Sequence, residues 1–178
     1  MRKILLLILG FFLLSSDVIR WSYIQKDDTA AKVKAVYLYN FTRYFEWPTG
    51  MREGNFIITT VGTNAGLQTE LSKLAKTKKV NNQSIEVKTS TTIADAGKCN
   101  ILYLLGDNSS LLADAIKQFK GKGTLVICEK SGMARAGATI NFITSDNKQT
   151  FELNNGSVQK SNLKVSADLK LLAKTVYE

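Results

Sequence analysis

Histidine is missing from this chain of 178 residues. Its absence removes the usual general base near neutral pH, every triad built on imidazole, and the commonest nitrogen ligand of zinc or copper. Cysteine is almost as scarce. Cys99 and Cys128 are the only two and form no CxxC spacing, so they build neither a four-ligand zinc site nor a disulfide-dense scaffold. Glycine is present, but Gly62 with Gly66, Gly121 with Gly123, and Gly132 with Gly137 match neither GxGxxG nor a phosphate loop. Those glycines read as strand ends and helix caps. Ser131 beside Gly132 lacks the GxSxG elbow, and nothing local brings any two of Glu46, Glu129 and Glu152 together for glycosidase chemistry. We therefore assign no catalytic residue, cofactor or metal.

What is present is ordinary for a globular protein, with 44% hydrophobic and 22% charged residues. A chain of this length suggests one domain resting on a hydrophobic core. The charge is strongly basic, 24 Lys and Arg against 15 Asp and Glu. Location decides what that charge meets. Met1, Arg2 and Lys3 precede an unbroken apolar run from Ile4 to Leu14, and Ser15 and Ser16 follow, the order of a secretory leader. That run is well short of the roughly 20 residues that span a bilayer, which argues against a permanent membrane anchor. Cleavage is expected between Ser16 and Gln25, so residues 1–25 read as leader and lead-in and residues 29–178 as the domain. Removing Arg2 and Lys3 leaves 22 basic against 15 acidic residues, a balance of +7. On an exported protein this reads as a solvated surface facing an anionic envelope, not as a nucleic-acid site.

The spacing predicts a helix from Thr29 to Glu46, stopped where Trp47 precedes Pro48, the only proline. Val33, Val36, Tyr37, Phe41 and Tyr44 line one side. Ala35, Leu38, Thr42 and Phe45 continue round it, and Tyr39 sits apart. Such a helix is buried on two sides or offers a second face to a partner. We accordingly expect Tyr37, Tyr39, Arg43, Tyr44 and Trp47 to contribute to a partner or homodimer interface.

Further along, Phe56–Val61 reads as a buried strand, Ala65–Lys76 as an amphipathic helix, and Ile85–Lys88 as a half-exposed or edge strand. Cys99–Leu105 and Thr124–Cys128 read as central strands, and the stripe from Leu111 to Phe119 as a helix between them. Ala138–Ile143 and Lys148–Leu153 form a hairpin around Ser145, Asp146 and Asn147. Asn154, then Ser166 or Asp168, cap two terminal helices. This order predicts a single α/β domain, its sheet mostly parallel with an antiparallel C-terminal hairpin and helices on both faces. If the two central strands are parallel neighbours, Cys99 and Cys128 lie roughly 15 Å apart, beyond disulfide reach, and are buried free thiols; exported proteins usually pair their cysteines, so a disulfide and redox control are the other outcome.

The run Lys34-Ala35-Val36-Tyr37-Leu38-Tyr39-Asn40-Phe41-Thr42-Arg43-Tyr44-Phe45-Glu46-Trp47-Pro48 resembles the opening helix of the YfiR-like family. Lys98–Leu104, Gly132–Phe142 and Phe151–Asn154 resemble later family segments and occur in family order. Asn100 stands where relatives often carry His, and Ala138 where they often carry a second Gly. The further cysteines through which some members sense envelope redox state are absent. The resemblance implies a non-enzymatic periplasmic regulator that binds the outer part of an inner-membrane signalling protein, a diguanylate cyclase or a histidine kinase, and restrains its output. The alternative from another class is a periplasmic small-ligand binding protein, since an open α/β sheet offers a crevice at its strand ends.

Overall fold

The computed structural model describes residues 29–178, so the leader lies outside the described residues. Helix α1 covers residues 29–44. It is followed by β1 Phe45–Glu46, β2 Phe56–Val61, α2 Ala65–Thr77, β3 Lys79–Val80, β4 Gln83–Ser90, β5 Ile101–Leu104, α3 Leu112–Phe119 and β6 Leu125–Cys128. The C-terminal part contributes β7 Ile140–Ser145, β8 Lys148–Asn154, α4 Asn155–Lys160, β9 Lys164–Val165, α5 Ala167–Leu172 and β10 Thr175–Tyr177. Among the described residues, no helix is long and apolar enough to cross a membrane.

Eight strands form one sheet in the order β10-β8-β7-β6-β5-β2-β4-β3, and β1 with β9 makes a separate two-stranded ribbon. From β4 to β7 all neighbours are parallel, β7 and β8 form the antiparallel hairpin, and β3 folds back antiparallel on β4. The domain is thus mixed α/β, mostly parallel, with an antiparallel C-terminal hairpin. The composition of β5 and β6 explains their place: all four residues of each are buried, as a strand covered on both faces requires. In the hairpin turn Asp146 and Asn147 have φ of 52° and 57°. That left-handed pair matches strand twist, and Asp and Asn tolerate it. Side-chain caps fix the starts of α2, α4 and α5: Asn64 accepts from Leu67 N, Asn154 from Ser157 N and Ser166 from Leu169 N.

One face of the sheet carries α1 and α2. Ala31, Ala35, Leu38 and Phe41 pack there with Ile101, Tyr103, Phe142 and Phe151, joined by Leu67 and Leu71. The other face carries α3, whose Leu112, Ala115 and Phe119 pack on Leu102, Leu104 and Val126. Hydrophobic burial on both faces is the main source of stability, and the aromatic contacts add geometry: Phe41 lies 5.3 Å from Phe151 in an edge contact and 5.9 Å from Phe142.

The structure corrects three expectations. Helix α1 ends at Tyr44, because Phe45 and Glu46 pair with Val165 and Lys164 of β9. Its buried stripe is Ala31, Ala35, Leu38, Phe41 and Thr42, while Val36 is 44% exposed. The two alanines let the helix approach the sheet closely, which a stripe through Val33 and Val36 would not. Strand β4 is half-exposed, as its alternation suggests, but it is longer than expected and second from the edge, beside β3.

Candidate functional site

At the C-terminal end of α1 the chain turns through β1 into the Trp47-Pro48 stop, and the β3–β4 hairpin rises opposite. Between them runs a groove of about 550 Å³ with Tyr39, Arg43, Glu46, Trp47, Arg52 and Lys79 among its lining. Arg43 projects from α1 one turn beyond Tyr39; its guanidinium carbon lies 5.2 Å from the Tyr39 ring centre, and Nη2 donates to the Tyr39 hydroxyl at 3.4 Å. Such stacking holds a long cation in a defined place at an exposed site. Glu46 Oε1 accepts from Arg52 Nη2 at 2.9 Å and from Lys164 Nζ at 3.4 Å. Lys164 and then Arg52 hold that exposed carboxyl below its ordinary range. Arg43 and Lys79 remain without an ion pair among the described residues, so the groove presents two uncompensated cations.

Beneath the groove Trp47 is a buried anchor. Its ring stands edge-on to Phe56 at 5.0 Å, and Nε1 donates to Asn100 O at 3.3 Å. Asn100 locks the same corner: its Nδ2 donates to Met51 O at 2.9 Å and its Oδ1 accepts from Ile57 N at 2.9 Å. Asn100 is thus a neutral amide with both functions used.

The five expected interface residues divide. Tyr39 and Arg43 line the groove at the surface, and Trp47 forms its buried wall. Tyr37 turns inward, its ring 5.7 Å from Phe142 and its hydroxyl donating to Gln149 O at 3.2 Å. Tyr44 packs half-buried against the core and lies outside the groove, and its carbonyl accepts from Ser166 N at 2.9 Å. The structure adds Glu46, Arg52 and Lys79 to the lining and sets Lys164 on Glu46. Lys79 and Lys164 carry no local signal, because the hairpin and the β1–β9 ribbon bring them from far along the chain.

A second polar cluster lies at the carboxyl ends of β5 and β6, where open parallel sheets commonly hold ligands. Here it is filled by the protein itself. Glu129, just past β6, accepts from Lys34 Nζ of α1 at 2.5 Å, from the Tyr103 hydroxyl, and from Gly106 N at 2.7 Å. Burial opposes ionisation of Glu129, but the bonds from Lys34 and Tyr103, the charge of Lys34 and the Gly106 amide outweigh it and hold the carboxyl below its usual range. Burial first, and then Glu129, drives the Tyr103 phenol far above its ordinary value.

Cys99 and Cys128 are free and wholly buried. The parallel register pairs Leu102 with Val126 and Tyr103 with Ile127, which sets the two cysteines about five residues apart along the strands. Burial pushes both thiols up to about 12. We expect native protein to react slowly with a thiol reagent and denatured, unreduced protein to titrate both thiols; fewer than two would contradict the register.

These features define an α/β domain whose strand-end crevice is closed by an ion pair and whose open relief lies beside α1. Over residues 31–174 the chain matches the YfiR/HmsC-like family, and it belongs to that family of periplasmic, non-catalytic regulators. No curated protein matches it. Among solved structures it is similar to an ABC domain in complex with L-Trp from Streptococcus pneumoniae, with 9% identity and a TM-score of 0.51 over 68% of this chain and 55% of that one. A conserved domain protein from Vibrio cholerae O1 biovar El Tor aligns at 12% identity and a TM-score of 0.44, over 67% of this chain and 54% of that one. The chain spans about half the length of each, and the first likeness concerns the fold alone.

Proposed function

We propose that this protein is an exported, non-enzymatic regulator that binds the periplasmic part of an inner-membrane signalling protein, a diguanylate cyclase or a histidine kinase, and restrains its output. Family membership over residues 31–174 is the observation that carries the reading. The groove beside α1 supports a place for the contact: an aromatic with a stacked Arg and an unpaired Lys are residue types that favour an acidic partner surface and steer its approach. Restraint follows if the partner's silent conformation presents that surface and its active conformation withdraws it, since a binder shifts only the equilibrium for which it discriminates. A homodimer would double the contact on a symmetric membrane receptor.

The test uses exposed charges, so that folding is spared. Arg43→Glu with Lys79→Glu is expected to weaken binding to the purified periplasmic segment of the signalling protein by about tenfold or more, two rim charges each being reversed. Thermal stability should stay within a few degrees. In cells lacking the wild-type gene the signalling output should rise, and this variant should fail to restore restraint. Full restraint by the reversed-charge variant would remove the groove from the mechanism. Unchanged output in the deletion strain would remove the regulator.

A further inference from the structure

On the α3 side of the sheet a second cavity, of about 330 Å³, opens between α3, β6, the turn before β7 and α4. Its floor is apolar: Ile116, Phe119 and Val126. Its rim is cationic. Lys120 and Lys160 come from the ends of α3 and α4, and the backbone fixes them on one edge, because Gly121 N donates to Lys160 O at 3.0 Å and Gly123 N to Ser161 O at 2.9 Å. Opposite, Ser157 Oγ donates to Gly137 O at 2.9 Å and pins the wall. Gly137 sits at φ 115°, and a Cβ there would fall 2.8 Å from Ile116 Cδ1, so glycine keeps this wall back and the floor open. No Asp or Glu lines the cavity, and among the described residues neither lysine has an ion pair.

An apolar floor under an uncompensated cationic rim is complementary to a molecule with a hydrocarbon body and one anionic end. A cavity of about 330 Å³ that is open on one side is of a size for a small amphiphile, and one chain of medium length is the occupant we test. We propose that this cavity binds a free single-chain carboxylate of medium length, the chain on Ile116, Phe119 and Val126 and the carboxylate between Lys120 and Lys160. The site is separate from the groove beside α1, and the proposal stands whether or not that groove binds a signalling protein.

Isothermal titration of the purified protein with octanoate should give saturable binding at one site, and octanol, which keeps the chain and loses the charge, should bind about tenfold or more weakly. Lys120→Gln with Lys160→Gln should weaken octanoate by a similar factor and abolish its preference over octanol. Ala136→Phe, at an exposed position on the mouth, should block both ligands. All three positions are exposed, and an unchanged melting curve verifies the fold of each variant. The proposal is overturned by octanoate failing to bind, by equal affinity for octanol, by insensitivity to either variant, or by binding only to anionic phospholipid vesicles.

Discussion

Phe41→Ala should cost about 3–5 kcal/mol of stability, the range for removing a buried aromatic that its neighbours cannot refill. The Phe41 ring is 1% exposed and touches three other rings, Tyr37, Phe142 and Phe151, at centroid distances of 5.3 to 5.9 Å. Phe142 and Phe151 sit opposite each other across the β7–β8 hairpin, so this one side chain anchors α1 to the antiparallel end of the sheet. Urea unfolding reads the loss as a lower midpoint at unchanged slope. A loss under about 1 kcal/mol would show that α1 is not held by that ring cluster. Tyr37→Phe is the milder comparison. It deletes only the hydroxyl that donates to Gln149 O and should cost about 1 kcal/mol. Together with Arg43→Glu, the series separates the inward face of α1 from the outward one, which the aromatic content of the helix cannot do.

Composition and period were enough to locate the strands and the longer helices. Phe56–Val61 is read to the residue because a β-branched run ended by a glycine has one interpretation, and β5 and β6 are legible because strands buried on both faces are apolar throughout. Short elements whose stability comes from a distant partner were illegible. Phe45–Glu46 looks like the last turn of a helix until Lys164–Val165 is beside it, and β3 and β10 have too few residues to show a period. The same reason divides the site. Tyr39 and Arg43 were visible as an aromatic and a cation one helical turn apart, whereas Lys79 and Lys164 enter by tertiary contact. Glu129 follows the apolar run that ends at Cys128, but nothing in sequence tells that Lys34, 95 positions earlier, is its partner.

That partnership gives the protein an acid limb. Lys34 and Glu129 are 23% and 17% exposed, so each charge has lost much of its water and depends on the other. The Glu129 carboxyl is depressed in the folded state below the 4.5 of a free glutamate. A carboxyl that binds its proton less readily when folded adds stability above its unfolded value, and that stability is lost as pH falls through the folded value. Wild-type urea midpoints should accordingly hold from neutral pH to about 5 and then fall, and Glu129→Gln should flatten the fall while lowering the midpoint at pH 7. Lys34→Met should be the more damaging change at pH 7, by about 1–3 kcal/mol. It leaves a largely buried carboxylate with only the Tyr103 hydroxyl and the Gly106 amide, and it draws the folded Glu129 carboxyl upward toward its unfolded value, so the acid fall should shrink as it does in Glu129→Gln. Glu46→Gln is the control, since that carboxyl is exposed and its two cations are flexible surface partners. If Glu129→Gln follows the wild-type acid profile, the cluster is not what fastens α1 over the strand ends. If Lys34→Met instead proves as stable as wild type at pH 7, Glu129 draws its support from Tyr103 and Gly106 alone, and the crevice at the ends of β5 and β6 is held shut by the strands themselves, not by the helix.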